Sequence, residues 1–523
     1  MTTLIICEKH RIAKAVAGAL KATRKLHYGV FTNGEITVAY VRKDFITLTS
    51  LADMADGKLP FVPSKYKMRV TDKVTDRRLK RLVRKAKEIV FASPEGAGAQ
   101  ARFFNLCRHF RVGQPTSRMW LTRLDRKAIK VIFAKREKGR TLHDLAQTGL
   151  VAQGMEQLFQ YNFSRVLDRW YYNDKSLSRQ EASAMGYLGL LSMIRESIIA
   201  GKPEYRIVLN GGKFPLTSEK GWEKEADCAH ILAAVKPGDT IEATMTIKEV
   251  SNPSLSPYTM LSLQMDAFEN FGFMPSKTIN VATRLFEKGI ITSPFTNNPK
   301  WGIETLRNLP LRISRAERKL YTLIAGRMEA VKATLATYQV ANYSVEIAGV
   351  RCSYEWILDQ PKPEYIGSSK QQFTVNTVGV CPVSPECDID FRFPDTLYNL
   401  YRFNNSGTYS NKQLPYFPLS HEWGTVLEGL ERKGFIMVND GYIGFTSEGR
   451  RLLIDIEPYN FETELIADVF NPVSILLGHA KGRKLMANFE EWVTDTVNDI
   501  LNYVPKDGAN LEKIAPVQAL PEK

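Results

Sequence analysis

The sequence predicts a chain of several folded domains, in which a parallel α/β domain comes first and helical and β-rich domains follow. Short apolar runs alternate with helical patterns over about the first 135 residues, which is typical of a parallel sheet. Later stretches are helical, or alternate in short runs with turn residues such as Gly-Gly at 211–212. The 523 residues, 44% of them apolar, suffice for three or four domains.

The N-terminal domain begins with a strand and a helix. The run TLIIC is short and apolar, and RIAKAVAGALKAT places its apolar residues at helical spacing. EIVFAS, residues 88–93, predicts a second buried strand, and PEGAGA leads from it into another helix. Ligands of parallel sheets bind beyond the carboxyl ends of the strands, where CEK and SPEGAGA both lie.

The rest of the chain alternates between helical and β patterns. Helices are predicted over much of 136–199, and strands over 204–250. In KTINVATRLFEKGI, one helix face carries Ile279, Ala282, Leu285 and Phe286. The stretch 361–418 has little periodicity and predicts irregular connections, whereas 423–454 predicts a helix, a hairpin and a helix in winged-helix-like order.

Composition narrows the class of partner. The formal net charge of +15 favours a polyanion, with nucleic acid as the leading candidate. Neither a signal-peptide layout nor an apolar stretch of membrane-spanning length is present, so no membrane partner is expected. Six scattered cysteines favour free thiols in the cytoplasm, and the spacing in CPVSPEC is a poor match to a zinc site.

Several separated stretches, in order, resemble type IA DNA topoisomerases, especially the topoisomerase III branch. They are LIICEKHRIAKAVAGAL, VFASPEGAGAQA, SLSRQEASAMGYLGLLSMIRE, YTMLSLQMDAFENFGFMPSKTINVATRLFEKGIIT and FTSEGRRLLIDI. Each stretch alone is a weak match, but their collinear order makes the resemblance specific. The resemblance implies a toroidal fold with an N-terminal Toprim domain.

The resemblance also implies a division into domains. It assigns a Toprim-like domain to 1–135 and a helical, winged-helix-like DNA-binding domain to 136–204 and 418–505. A β-rich arch would comprise 205–265 and 335–417. A helical domain at 266–334 would carry the segment of the active site, and 506–523 would form a flexible tail.

The same resemblance exposes departures at the catalytic positions. In the family, a tyrosine and a nearby arginine follow the Gly-Leu-Ile-Thr run, and the tyrosine attacks a phosphodiester. Here GIIT is followed by Ser293 in the place of the tyrosine and Phe295 in the place of the arginine. A serine nucleophile needs activation, and phenylalanine cannot stabilise developing charge. Trp423 stands where the family has a second arginine.

The implied metal site is depleted as well. The family presents an acidic cluster for Mg²⁺, a cation that prefers oxygen ligands. In this sequence SPEGAGA retains only Glu95, with Glu8 as a possible partner, and Lys9 keeps its place beside Glu8. We therefore expect no cofactor, and Mg²⁺ only if residual activity exists.

The residues for holding a DNA strand are better retained. The resemblance and the helical patterns point to five cations: Arg165, Arg169, Arg179, Lys277 and Arg284. The leading hypothesis is a homologue without catalytic residues that binds single-stranded or distorted DNA, with other DNA-processing proteins as further partners. The alternatives are a topoisomerase or nickase that uses Ser293, and a protein–protein scaffold that no longer binds DNA.

Overall fold

The structure is a computed structural model of the chain. It describes residues 2–55, 57–94, 96–170, 177–201, 203–211, 215–251, 256–295, 302–310, 312–333, 337–358, 366–383, 389–406, 423–456 and 479–502. These residues form two compact units. The first comprises Met1–Gly189, Pro257–Met328 and Phe391–Lys523, and the second comprises Leu190–Ser256 and Glu329–Asp390.

Helices and strands alternate along the chain, as the sequence patterns predict. The helices are α1 His10–Ala19, α2 Lys73–Lys85, α3 Ala97–Phe110, α4 Arg126–Ala134, α5 Arg140–Trp170, α6 Arg179–Ile199, α7 Ala229–Leu232, α8 Met260–Phe271, α9 Pro275–Glu287, α10 Arg315–Ala333, α11 Phe393–Ser406, α12 Trp423–Arg432, α13 Ser447–Ile456 and α14 His479–Asn502. The strands are β1 Thr2–Cys7, β2 Arg24–His27, β3 Val30–Thr32, β4 Ile36–Tyr40, β5 Ile46–Leu48, β6 Met68–Val70, β7 Ala86–Ser93, β8 Thr116–Trp120, β9 Glu204–Asn210, β10 Pro215–Ser218, β11 Thr240–Ser251, β12 Thr337–Ile347, β13 Val350–Ile357, β14 Gly367–Thr374, β15 Thr377–Val383, β16 Ile436–Asn439 and β17 Tyr442–Phe445.

The first unit is built on a six-stranded sheet in the order β2-β3-β4-β1-β7-β8. Strands β4, β1, β7 and β8 are parallel, and β3 and β2 continue the sheet antiparallel. The predicted parallel α/β domain is therefore present. The carboxyl ends of its four parallel strands meet at one edge.

Helices cover both faces of this sheet. Leu79 and Val83 of α2 pack on one face with Phe103 of α3. On the other face, α1 and α4 share a hydrophobic cluster with α8, α9 and α10. Leu285 and Phe286 of α9 belong to that cluster, which confirms the predicted apolar face of this helix.

The remaining helices of the first unit also follow the predicted order. α12, the β16–β17 hairpin and α13 form the helix–hairpin–helix predicted for 423–454. Gly449 fits there because a Cβ at this position would lie 1.8 Å from the Phe435 carbonyl oxygen. Among the described residues, none of the helices has both the length and the apolar character that a membrane crossing requires.

The second unit contains a seven-stranded antiparallel sheet in the order β14-β11-β12-β13-β10-β9-β15. Its core includes Ile207, Leu209, Ala243, Val345 and Cys352. The prediction of strands over 204–250 is confirmed.

The prediction of irregular chain over 361–418 is wrong for the part that the structure describes. β14 and β15 are regular strands at the two edges of the sheet, and α11 follows them in the first unit. Almost every residue of β14 is exposed. Because neither face of this strand is buried, its sequence does not alternate between apolar and polar residues. The boundaries predicted for the four domains stay predictions.

Candidate functional site at the carboxyl edge of the first sheet

The carboxyl edge of the parallel strands collects the residues that the sequence singled out. Glu8 follows β1, Pro94 follows β7, and Thr122 lies just beyond β8. The segment after α9 docks at the same edge, since the Ser293 N–H donates to the Thr122 carbonyl at 2.7 Å. Two residues 171 positions apart in sequence therefore meet through a backbone hydrogen bond. The structure confirms the predicted location of CEK and of Ser93 and Pro94 at strand ends.

Glu8 is held by an arginine from the helix after β7. Arg102 donates from Nε to Glu8 Oε1 at 2.5 Å and from Nη2 to Oε2 at 2.8 Å. The Glu8 side chain is only 9% exposed, and that of Arg102 is 27% exposed. A paired guanidinium and carboxylate of this geometry form two charge-assisted hydrogen bonds. Both oxygens of the carboxylate are therefore engaged within the protein.

Lys9 faces the end of α9. Its Nζ donates to Glu287 Oε1 at 2.8 Å, and Arg11 Nη1 lies 3.9 Å from Glu287 Oε2. This ion pair ties the strand end at β1 to the helix that precedes Ser293. Lys9 thus has a partner in the segment that the family resemblance associates with the active site.

A small cleft opens beside Glu8, with Lys43 and Arg102 among its lining residues and Phe91 at its apolar side. The surrounding protein atoms lower the pKa of the Lys43 amino group by desolvation, and the positive charge of Arg102 lowers it further. With Arg42, which also lines it, the cleft therefore combines one carboxylate with three cations. Such a charge balance suits an anion better than a cation.

A second arginine is buried at the end of β7. Arg118 is fully buried, and its Nη2 donates to Ser93 Oγ at 2.6 Å and to the Pro94 carbonyl at 3.0 Å. Its guanidinium lies over the rings of Phe91 and Trp120, at 4.5 and 4.3 Å from their centroids. Ser93, the first residue of SPEGAGA, is thus a hydrogen-bond partner of an arginine.

The oxygen atoms of Glu8 and Ser93 do not fit a Mg²⁺ site. The Glu8 carboxylate is already paired with Arg102, and the Ser93 hydroxyl is bound to Arg118. Glu95, the second predicted candidate, lies outside the described residues. Among the residues that the structure does describe, no cluster of three His, Cys, Asp or Glu side chains has a metal-binding arrangement. A hard divalent cation needs several free oxygen ligands, and the described part of this edge presents cations instead.

Ser293 is buried, with 2% of its surface exposed. Its Oγ accepts a hydrogen bond from the Phe295 N–H at 3.3 Å. The preceding Thr292 forms two hydrogen bonds of 2.9 Å with Glu304: its N–H donates to the Glu304 carbonyl, and its Oγ1 accepts from the Glu304 N–H. In the described part of the chain, no imidazole or carboxylate hydrogen-bonds the Ser293 hydroxyl. A serine nucleophile needs such a base, so this arrangement lacks the usual means of activation.

Arg179 begins α6, as predicted, but its surroundings are acidic. Its N–H donates to Glu156 Oε1 at 3.2 Å, and its Nε lies 3.6 Å from Glu156 Oε2. The Arg179 side chain is only 14% exposed. A phosphate at this helix N-terminus would have to compete with the Glu156 carboxylate.

The other predicted DNA contacts differ in accessibility. On α9, Lys277 and Arg284 are exposed and seven residues apart, which places them on one side of the helix about 10 Å apart. Lys277 Nζ lies 4.0 Å from the Phe273 ring centroid, while Arg284 Nε lies 4.0 Å from the buried Glu317 carboxylate. Arg165 is exposed on α5 and packs over a tyrosine ring. The side chain of Arg169 lies outside the described residues.

Two buried aromatic residues, Trp423 and Phe163, are structural in character. Trp423 begins α12 and is buried. Its neighbour Gly424 packs so closely against Pro275 of α9 that an added Cβ would lie 2.4 Å from the proline Cβ. Phe163 is buried and stacks on Phe159 with centroids 4.4 Å apart, so it belongs to the core and is unavailable to a base.

Neither Arg102 nor Arg118 was predicted from the sequence. Arg102 is visible in sequence only as a basic residue early in a helix that follows a strand end, and Arg118 as an arginine in the middle of the short strand TSRMW. An arginine within a buried strand is unusual enough to mark a polar partner. Neither sequence feature identifies that partner.

Comparisons with known proteins agree with the fold. No protein-family model matches the chain. It is 24% identical over 316 residues to DNA topoisomerase 3 of Staphylococcus aureus strain MRSA252, covering 57% of this chain and 44% of that protein. It is 26% identical over 318 residues to DNA topoisomerase 3 of Staphylococcus saprophyticus, with the same coverage. The chain thus matches less than half the length of these two relatives.

A solved structure covers more of the chain. Full-length topoisomerase I from Thermotoga maritima superposes with a TM-score of 0.68, over 96% of this chain and 91% of that one, at 15% identity. At this identity, the likeness establishes the fold. The expected type IA topoisomerase-like fold is therefore confirmed.

Proposed function

We propose that this chain, which resembles type IA DNA topoisomerases in fold and in sequence, holds single-stranded or distorted DNA without cutting it. It would act as an accessory factor in DNA processing or in the transfer of a mobile element. The net charge of +15 supports binding to a polyanion.

The observation that carries the non-cleaving part of the proposal is the pairing of Glu8 with Arg102. Both carboxylate oxygens accept hydrogen bonds from the guanidinium, at 2.5 and 2.8 Å. The positive charge that balances the Glu8 carboxylate is thus the guanidinium of Arg102, which is part of the protein. A fixed guanidinium cannot bridge phosphate and carboxylate oxygens as a divalent ion does. The burial of Ser293 supports the same conclusion.

DNA would be held through phosphate contacts of exposed cations. Lys277 and Arg284 lie on one side of α9, the helix that leads to Ser293, and Arg165 is exposed on α5. Contacts of this kind fix a strand without reading its sequence. Arg169 and Arg179 stay predictions as further contacts, and for Arg179 the Glu156 carboxylate is a competitor.

The first experiment tests cleavage. Supercoiled plasmid is incubated with the protein and Mg²⁺, and the products are examined for relaxation, nicking and covalent protein–DNA adducts. We expect none of the three. Relaxation or an adduct that disappears in Ser293→Ala would overturn the proposal in favour of an active topoisomerase or nickase.

The second experiment tests binding. The affinity for a labelled oligo(dT) is measured at several salt concentrations for the wild type and for Arg165→Gln/Lys277→Gln/Arg284→Gln. Each phosphate contact that is lost should make the slope of log K against log salt shallower by about 0.7 for a single strand. Loss of three contacts should therefore make it shallower by about 2. A wild type without affinity at low salt would instead support the protein–protein scaffold.

A matched control removes the same charge elsewhere. Lys224, Lys236 and Lys248 are exposed lysines of the second unit, and their triple substitution by Gln is the control triple. We expect the control triple to change the slope much less. Equal effects of the two variants would mean that only net charge matters and would contradict the assignment of the binding residues.

A further inference from the structure

The strongest concentration of charge in the described structure lies on α2, away from the residues discussed so far. The helix has the sequence KVTDRRLKRLVRK, with seven cations and one carboxylate. Its net charge of +6 is two-fifths of the +15 of the whole chain. All seven cations are exposed: Lys73, Arg77, Arg78, Lys80, Arg81, Arg84 and Lys85.

The acidic groups at this helix are occupied by other partners. Asp72 caps the N-terminus by accepting the N–H groups of Val74 and Thr75, and Asp76 bonds His109 at 2.6 Å. No ion pair between any of the seven cations and an acidic side chain occurs within the described residues. The seven cations of α2 therefore form no ion pair within the described protein, although Asp72 interacts electrostatically with Arg78.

The spacing of the cations also opposes helix formation. Like charges recur at i and i+4, as in Lys73 with Arg77 and Arg77 with Arg81, and pairs at this spacing repel one another. Packing of Leu79 and Val83 against the sheet holds the helix in place despite this repulsion. A polyanion along the exposed face would relieve it.

We infer that α2 binds the phosphate backbone of duplex DNA, independently of its sequence. This surface lies outside the residues proposed above to hold a single strand, so the inference goes beyond that function. A helix of 13 residues is about 20 Å long, and duplex DNA presents one negative charge per about 1.7 Å of its axis. The duplex thus supplies enough phosphates for all seven cations.

The composition of the helix favours a duplex over other polyanions. Surfaces for single strands combine cations with aromatic side chains that stack on bases, and α2 has no aromatic residue. Helices that lie in a membrane interface insert an apolar face, whereas Leu79 and Val83 are buried within the protein. What α2 presents outward is charge for phosphate groups.

The test compares duplex and single-stranded DNA. Affinities for a mixed-sequence 25-base-pair duplex and for a 25-nucleotide oligo(dT) are measured by fluorescence anisotropy across a salt series; the duplex, about 85 Å long, exceeds the roughly 20 Å length of α2. The variant is Arg77→Gln/Arg81→Gln/Arg84→Gln. Loss of three phosphate contacts should make the slope of log K against log salt for the duplex shallower by about 2.7, and it should reduce duplex affinity roughly 10- to 100-fold at moderate salt. The affinity for oligo(dT) should stay within about twofold of wild type.

Two controls make the result specific. The control triple, Lys224→Gln/Lys236→Gln/Lys248→Gln, removes the same charge and should leave duplex affinity nearly unchanged. Arg77→Lys/Arg81→Lys/Arg84→Lys keeps the charge and should retain duplex binding, which excludes a loss through misfolding.

Several results would overturn the inference. They are unchanged duplex affinity in the α2 variant, an equal loss in the control triple, and an equal loss for oligo(dT). Binding of wild type to phosphatidylserine vesicles that exceeds duplex binding and is lost in the α2 variant would assign α2 to a membrane surface. Because oligo(dT) is measured in parallel, failure of the α2 surface is distinguishable from failure of single-strand binding.

Discussion

Removing Arg102 tests whether the Glu8 carboxylate is balanced by this side chain. In Arg102→Gln, Glu8 loses both guanidinium hydrogen bonds while its side chain remains 9% exposed. Hydrogen bonds to charged groups contribute about 1.5–3 kcal/mol, and an unpaired buried charge adds a penalty. Because Arg102 is itself 27% exposed, solvent weakens the pair, and we expect a local destabilisation of about 1.5–3 kcal/mol for the two hydrogen bonds together.

The assay is hydrogen–deuterium exchange of peptides from β1 and α3, which reports the free energy of local opening. A loss of 1.5–3 kcal/mol corresponds to exchange about 10- to 100-fold faster. Glu8→Gln should cost less, because the stranded guanidinium can turn towards solvent. The double variant Glu8→Gln/Arg102→Gln should be less destabilised than the sum of the two, by about 1–2 kcal/mol.

The refuting result is additivity. If the two single effects sum within about 0.3 kcal/mol, the residues do not interact and Glu8 is not neutralised by Arg102. The Glu8 carboxylate would then be free to bind a cation such as Mg²⁺ at this edge. The control triple should leave exchange in β1 unchanged.

The remaining predictions concern stability and reactivity. Hydrogen bonds from an arginine and a serine lower the pKa of Glu88 from 4.5 to about 2. The ionised carboxylate therefore stabilises the folded protein above about pH 4.5, and this stabilisation is lost as the pH falls towards 2. Glu88→Gln should lower the urea midpoint of unfolding at about pH 7 and should lower it much less at about pH 2.5. In Gly449→Ala the new Cβ would lie 1.8 Å from a backbone oxygen, so thermal unfolding should show a destabilisation of more than about 3 kcal/mol. In Gly326→Ala the new Cβ meets open space, and the variant should be more stable by about 0.5–1 kcal/mol. Comparable effects of the two substitutions would contradict the close packing at Gly449. At pH 8 the exposed Cys381 should react with iodoacetamide, while burial raises the pKa of Cys352 to about 11 and should protect it; peptide mapping that finds equal labelling would contradict this.

Several features could be predicted because they depend on local patterns. The apolar spacing in α9 identified its buried face, and the alternation of strands and helices identified the parallel sheet. The identity of Ser293 at the end of the GIIT run is a matter of sequence alone. The edge strand β14 escaped prediction because it is exposed along nearly its whole length, and exposure leaves no hydrophobic period to detect.

The sequence by itself determined the order of the elements, the family resemblance, and the presence of Ser293 and Phe295 at the positions where that resemblance implies a tyrosine and an arginine. Only the tertiary structure decided that Glu8 is paired with Arg102, 94 residues away, and that Ser293 is buried against the end of β8. Local periodicity records which face of an element is apolar, but it does not record which distant side chain meets a given carboxylate. That pairing arises where the parallel strands bring their carboxyl ends to one edge, and cations line this edge, where the family resemblance implies a metal site.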